Sequence, residues 1–104
     1  MMRLTAVAAL FPDLGEPVLT AWIAQGWVHP GLEGDSLVFH DIDVARVRLI
    51  RDLRLAMRIE DETIPLVLSL LDQVYELRGQ LRSVLRAVEA QPDPVLAAIV
   101  AALD

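Results

Sequence analysis

Residues 60–90 carry a sustained seven-residue apolar repeat, and only a long helix holds such a repeat on one side. Val67, Val74, Leu81 and Val88 occupy one position of the repeat, Leu70, Leu77 and Val84 follow three residues on, and Leu71 and Leu85 widen the stripe. One use of this stripe is to lie on the helix's own small domain. A chain of 104 residues has little to cover so long a seam, however, so these residues form the expected interface of a homodimer. Pro65 is tolerated only in a first turn, and Asp61 or Thr63 can accept from the first free N–H groups, which predicts a start near residue 61. Outward positions carry Asp72, Glu76, Arg78, Arg82, Arg86 and Glu89, acids first and Arg later, the order the helix dipole favours.

An apolar content of 55% is high for so small a chain and again implies surface left for association. With no cysteine, disulfides and thiolate metal sites are excluded and nothing argues for an oxidising compartment; a cytoplasmic protein is expected. Every basic residue is Arg, and the net charge of −6 disfavours loose attraction to nucleic acid or to an anionic membrane. The apolar runs fall short of the roughly 18 residues a membrane span requires. The N-terminal run after Arg3 is too short for a signal peptide and suits a first helix capped by Thr5.

That first helix is expected over Thr5 to Phe11, with Val7, Leu10 and Phe11 facing inward, before Pro12-Asp13-Leu14-Gly15 breaks it. A second is expected from Glu16 or Pro17 to Gln25, with Val18, Leu19, Trp22 and Ile23 on one side and Gly26 as its stop. Trp22 and Trp27 at this spacing read as core. Trp27 to Pro30 and Leu37 to Phe39 then read as two β-prone stretches around a loop over residues 31–36, a small wing. A third helix, capped by Asp41, should continue to Met57. Its Leu49, Ile50, Leu53, Ala56 and Met57 share one side and Arg48, Arg51, Arg54 and Arg58 line the other. Gln91-Pro92-Asp93-Pro94 is a stiff break, and Val95 to Leu103 reads as a short apolar helix folded against a partner surface.

The chemistry of enzymes finds no footing. His29 and His40 lack helical ligand spacing, Ser69 and Ser83 lie far from any histidine, no glycine-rich phosphate loop exists, and Asp61-Glu62 suits a helix start. No catalytic residue, metal or cofactor is expected.

The fold class expected is mainly α: a winged helix-turn-helix-like domain over 1–58, a long dimerisation helix over 59–90, and a Pro break with a short apolar C-terminal helix over 91–104. This order resembles the winged-helix regulators of the mercury-resistance (MerR) type. The resemblance rests on Leu19 to Pro30, where a helix ends at Gly26 and Trp27-Val28 leads to Pro30, and on Phe39-His40-Asp41 with Val47 to Leu53. DNA-binding members carry an Arg and a Tyr where this chain has Thr20 and Ala21. From Met1 to His40 the only basic residue is Arg3, against Asp13, Glu16, Glu33 and Asp35. A net negative reading head is repelled by the duplex, so a DNA-binding transcription regulator is the weaker reading. It would need the third-helix arginines or a partner to supply the missing charge. A dimerising module with some other partner is a third reading.

The whole chain is similar to the CbpM family of chaperone modulators at Gly26-Trp27-Val28, Leu37-Val38-Phe39, Arg48 to Leu53 and Ile64 to Asp72. That resemblance implies an adaptor that binds the J-domain of a CbpA/DnaJ-like co-chaperone and blocks its contact with the Hsp70 DnaK. J-domains use a basic helix and a His-Pro-Asp loop. Asp72 and Glu76, one turn apart, would meet the helix, and Arg48, Arg51 and Arg54 would meet the loop carboxylate through paired hydrogen bonds.

Overall fold

The computed structural model describes residues 1–103. It is mainly helical, with a short strand β1 (Met2–Arg3), helices α1 (Leu4–Leu10) and α2 (Gly15–Ala24), strands β2 (Gly31–Glu33) and β3 (Ser36–Phe39), and helices α3 (Asp41–Arg51), α4 (Ile64–Glu89) and α5 (Asp93–Ala102). The strands form one antiparallel sheet in the order β1-β3-β2. The chain divides into two compact units, Met1–Leu68 and Ser69–Asp104, with the boundary inside α4.

The first unit closes over one core in which Val7, Phe11, Leu19, Trp22, Trp27, Val28, Phe39, Val47, Ile50 and Leu53 are buried together with Ile64 and Leu68. The core of the first unit thus takes in residues beyond position 58. Ile64 and Leu68, one turn apart and off the seven-residue stripe, tie the first turns of α4 into this core.

Gly26 ends α2 as expected. It sits at φ +79°, its N–H donates to the Ile23 carbonyl, and the Trp27 N–H reaches back to Trp22, the paired bonds of a Schellman cap. The cap folds Trp27 onto Trp22 with ring centroids 6.2 Å apart, and both indoles are buried. Trp27 to Pro30 consequently forms no strand; its first two residues reach the core directly from the cap. The hairpin begins only at Gly31, because Gly34 (φ +63°) and Asp35 make a two-residue turn that pairs Glu33 with Ser36. Most of the expected 31–36 loop is thus strand.

Four boundary expectations are corrected. Thr5 does not cap α1, which starts at Leu4 after Arg3, and Leu10 is half-exposed while Val7 and Phe11 are buried. Asp41 is the first residue of α3, not its cap; His40 holds that position, and its N–H donates to the Asp43 carboxylate at 2.9 Å. The α-helix of α3 stops at Arg51 and widens into a π turn over Asp52–Ala56, where the Met57 N–H reaches the Asp52 carbonyl. Arg58 then adopts a left-handed φ of +54° and the Ile59 N–H closes onto Leu53. The wider turn carries Ala56 and Met57 off the buried side, leaving Met57 exposed. Finally, α4 begins at Ile64, after a turn in which the Thr63 and Ile64 N–H groups both reach the Glu60 carbonyl; Pro65 stands in its first turn, as expected.

Candidate functional site

Two surfaces carry the residues the sequence singles out, one in each unit. In the second unit, from Ser69 onward, no described side chain is buried. Leu70 (53% exposed), Leu77 (62%) and Leu81 (57%) show how open the stripe of α4 is, and Val74, Val84, Leu71 and Leu85 are exposed as well. Val67 and Val88, at the two ends, are half-buried. A 26-residue helix with an apolar face in water is stabilised by little beyond its own hydrogen bonds. Burying a Leu or Val side chain contributes about 1.5–3 kcal/mol, so this face has a large driving force for association. The last helix, α5, repeats the situation: Val95, Val100 and the following Leu103 are exposed, and residues 94–103 contain no charge.

Asp72 and Glu76 stand one turn apart on α4, both exposed. Further along, Ser83 donates to the Gly79 carbonyl and Arg86 to the Ser83 hydroxyl, local contacts that keep Arg86 close to its own helix.

In the first unit the α3 arginines are not a bare ridge. Arg51 donates through Nε to the Asp13 carboxylate at 2.8 Å, and its guanidinium lies 5.9 Å from the centre of the Phe11 ring. Arg48 approaches the same ring at 5.8 Å. The hydrogen bond from Arg51, opposed by some desolvation, holds the Asp13 carboxyl below the ordinary carboxylate range, and the same bond raises Arg51. Arg54 lies 3.0 Å from the Asp61 carboxylate, a close ion pair that is not aligned as a hydrogen bond. So Arg48 and Arg51 converge on Phe11 while Arg54 turns to the corner before α4. Asp72 and Glu76 belong to the other unit.

Sequence reasoning missed two ties. Arg46 donates through Nε to the Trp27 carbonyl, pinning α3 to the segment after α2. Asp13 looked like a turn residue only; its pairing with Arg51 spans 38 positions and leaves no local signal.

The exposed side of α2 presents Glu16, Pro17, Thr20, Ala21 and Ala24, and the hairpin presents Leu32, Glu33, Gly34, Asp35 and Ser36. Neither surface offers a cation. Among the described residues no single helix is long and apolar enough to cross a membrane.

Comparison with models of protein families, with curated proteins and with solved structures finds no match to this chain.

Proposed function

We propose that the first unit is a winged helix-turn-helix that has lost its nucleic-acid role, that α4 is a homodimerisation helix, and that the protein is a chaperone modulator. In this reading it binds the J-domain of a CbpA/DnaJ-like co-chaperone and inhibits that co-chaperone's action on the Hsp70 DnaK. The helix-turn-helix reading is supported by the break between α1 and α2, which turns the chain through 116° across a short turn, and by the hairpin that leads into α3.

One observation carries the functional reading. The parts that would face a duplex, the outer side of α2 and the hairpin, expose Glu16, Glu33 and Asp35 and no basic side chain. Phosphate neutralisation supplies most non-specific DNA affinity, so this surface repels nucleic acid and suits a basic protein partner. The second reading, a MerR-like DNA-binding regulator, would lean on the α3 arginines. Arg51 and Arg54 are already committed to Asp13 and Asp61, which weighs against it.

An inhibitor of a J-domain must occupy the basic helix, the His-Pro-Asp loop, or both. Asp72 and Glu76 provide an acidic pair of helical spacing for the first. Arg48 provides a planar donor for the loop carboxylate, while Arg51 is engaged by Asp13 and Arg54 by Asp61. The test is calorimetry of the purified protein against the isolated J-domain of the same organism's CbpA-like co-chaperone at low and moderate salt. Saturable binding that weakens with salt, and is lost on charge reversal at Asp72 and Glu76, is the expected result. No heat at micromolar concentrations removes the chaperone reading.

A further inference from the structure

We infer that a cleft beside β3 in the first unit binds a short extended peptide with both ends free, its carboxylate on Arg3 and its ammonium on Asp35. This site is separate from the chaperone reading above and does not rest on it.

The cleft follows from the way the sheet ends. The strand β1 is two residues long and pairs Met2 with Phe39 and Arg3 with Val38. The chain then leaves the sheet into α1 at Leu4, while β3 runs back to Ser36 and the turn at Asp35. Below Val38, therefore, the β1 side of β3 has no strand beside it, and β2 covers only the opposite edge. The two-residue turn makes Glu33 and Ser36 the closing hydrogen-bonded pair, so alternation aims the Leu37 N–H and C=O at the open side. An incoming extended backbone finds a ready partner there, the mode of strand addition.

Arg3, Leu4 and Thr5 line one side of the cleft and Asp35, Ser36 and Leu37 the other, around a volume of about 290 Å³. That is just under the roughly 300 Å³ at which small-molecule sites begin, enough for two residues and too little for a folded loop. Leu4 and Leu37 are half-buried against the core and give the cleft its apolar wall, while Thr5 and Ser36 add hydroxyls.

The two charges give the ligand its length and direction. Arg3 and Asp35 are exposed, and among the described residues the side chain of neither is held in an ion pair. Arg3 stands at the level of Val38 and Asp35 three residues before it, about 10 Å away at the rise of a strand. One residue covers only about 3.5 Å, so the ends of a free amino acid cannot meet both charges. Two extended residues cover about 7 Å, and the long Arg3 side chain closes the remainder. With its carboxylate on Arg3 the peptide runs parallel to β3, and Arg can hold that carboxylate through paired hydrogen bonds.

The test is titration of the full-length, isotope-labelled protein with the dipeptide Ala-Leu, read by amide chemical shifts. Saturable shifts confined to residues 3–5 and 35–37, in the millimolar range, are expected. Amidation of the peptide's C-terminus, acetylation of its N-terminus, and replacement by leucine alone should each weaken binding about 3- to 5-fold, the worth of one exposed charge pair. Arg3→Gln should abolish the preference for the free carboxylate only. Asp35→Asn, which such a turn accepts, should abolish the preference for the free ammonium only. Equal binding of free and blocked peptides overturns the roles of Arg3 and Asp35, and leucine binding as well as the dipeptide overturns the assigned length. Shifts centred elsewhere, or none up to about 20 mM, overturn the site. All of these readings stand whether or not a J-domain binds.

Discussion

Arg51 on α3 and Asp13 in the turn before α2 stand 38 positions apart in sequence, yet the Arg51 Nε lies 2.8 Å from the Asp13 carboxylate, with Phe11 beneath both Arg48 and Arg51. The pair fastens the α1–α2 turn to α3. Because the bond from Arg51 lowers the Asp13 pKa below its ordinary 3.8, its contribution is present above that value and is lost as the pH falls through the lower, folded value. Asp13→Asn should therefore be less stable than the natural protein at neutral pH and equal to it in strong acid. Urea unfolding at both pH values checks this; a difference that persists in acid would mean the carboxylate acts through something other than its charge.

Gly26→Ala should cost about 1–2 kcal/mol, measured by urea unfolding. A Cβ there has room, its nearest neighbour being the His29 ring at 3.8 Å, so the loss is conformational: an L side chain at φ +79°. An unchanged stability would show that the cap rearranges freely.

Arg58 occupies φ +54° without being glycine and is exposed. Relief of that strain, offset by the extra freedom glycine gives the unfolded chain, should leave Arg58→Gly equal to the natural protein or more stable by up to about 1 kcal/mol. A clear loss in thermal unfolding would assign the guanidinium a contact of its own.

Arg46→Met keeps most of the aliphatic stem and removes the donor to the Trp27 carbonyl. A loss of about 1–3 kcal/mol is expected, since a partly buried carbonyl loses a charged partner. Hydrogen exchange should show the loss concentrated in α3 and the segment after Gly26; a loss confined to α4 would contradict the assignment.

Leu81→Asp places a charge in the exposed stripe of α4. Sedimentation should show a monomer. The first unit should keep its exchange protection, because its core ends at Leu68. A helical dimer from this variant would show that the stripe is not the interface.

Much of this fold was written in local patterns. The seven-residue repeat predicted α4, Pro65 placed its first turn, and Gly26 stopped α2, because each depends on neighbours within a turn or two. The strand β2 was hidden, since Gly31-Leu32-Glu33 lacks β-branched residues and is recruited only by its pairing with β3. Nothing in Asp52 to Ala56 announces a π turn, and packing of Leu53 and Ile59 around the corner decides it. Of the residues proposed for interaction, the one-turn spacing of Asp72 and Glu76 on α4 was legible. The engagement of Arg51 and Arg54 was not, because Asp13 arrives through the tertiary fold and Asp61 around an irregular corner.

The cap at Gly26 also gives the protein an internal optical gauge. Both of its tryptophans lie in the first unit, 6.2 Å apart and inclined at 38°, close enough for their excited states to couple, while the single tyrosine, Tyr75, sits on α4 in the second unit. Near-ultraviolet ellipticity of the indoles therefore follows the first unit alone, while far-ultraviolet ellipticity also carries α4 and α5 of the second. The order in which the two melt can be read from one unlabelled sample.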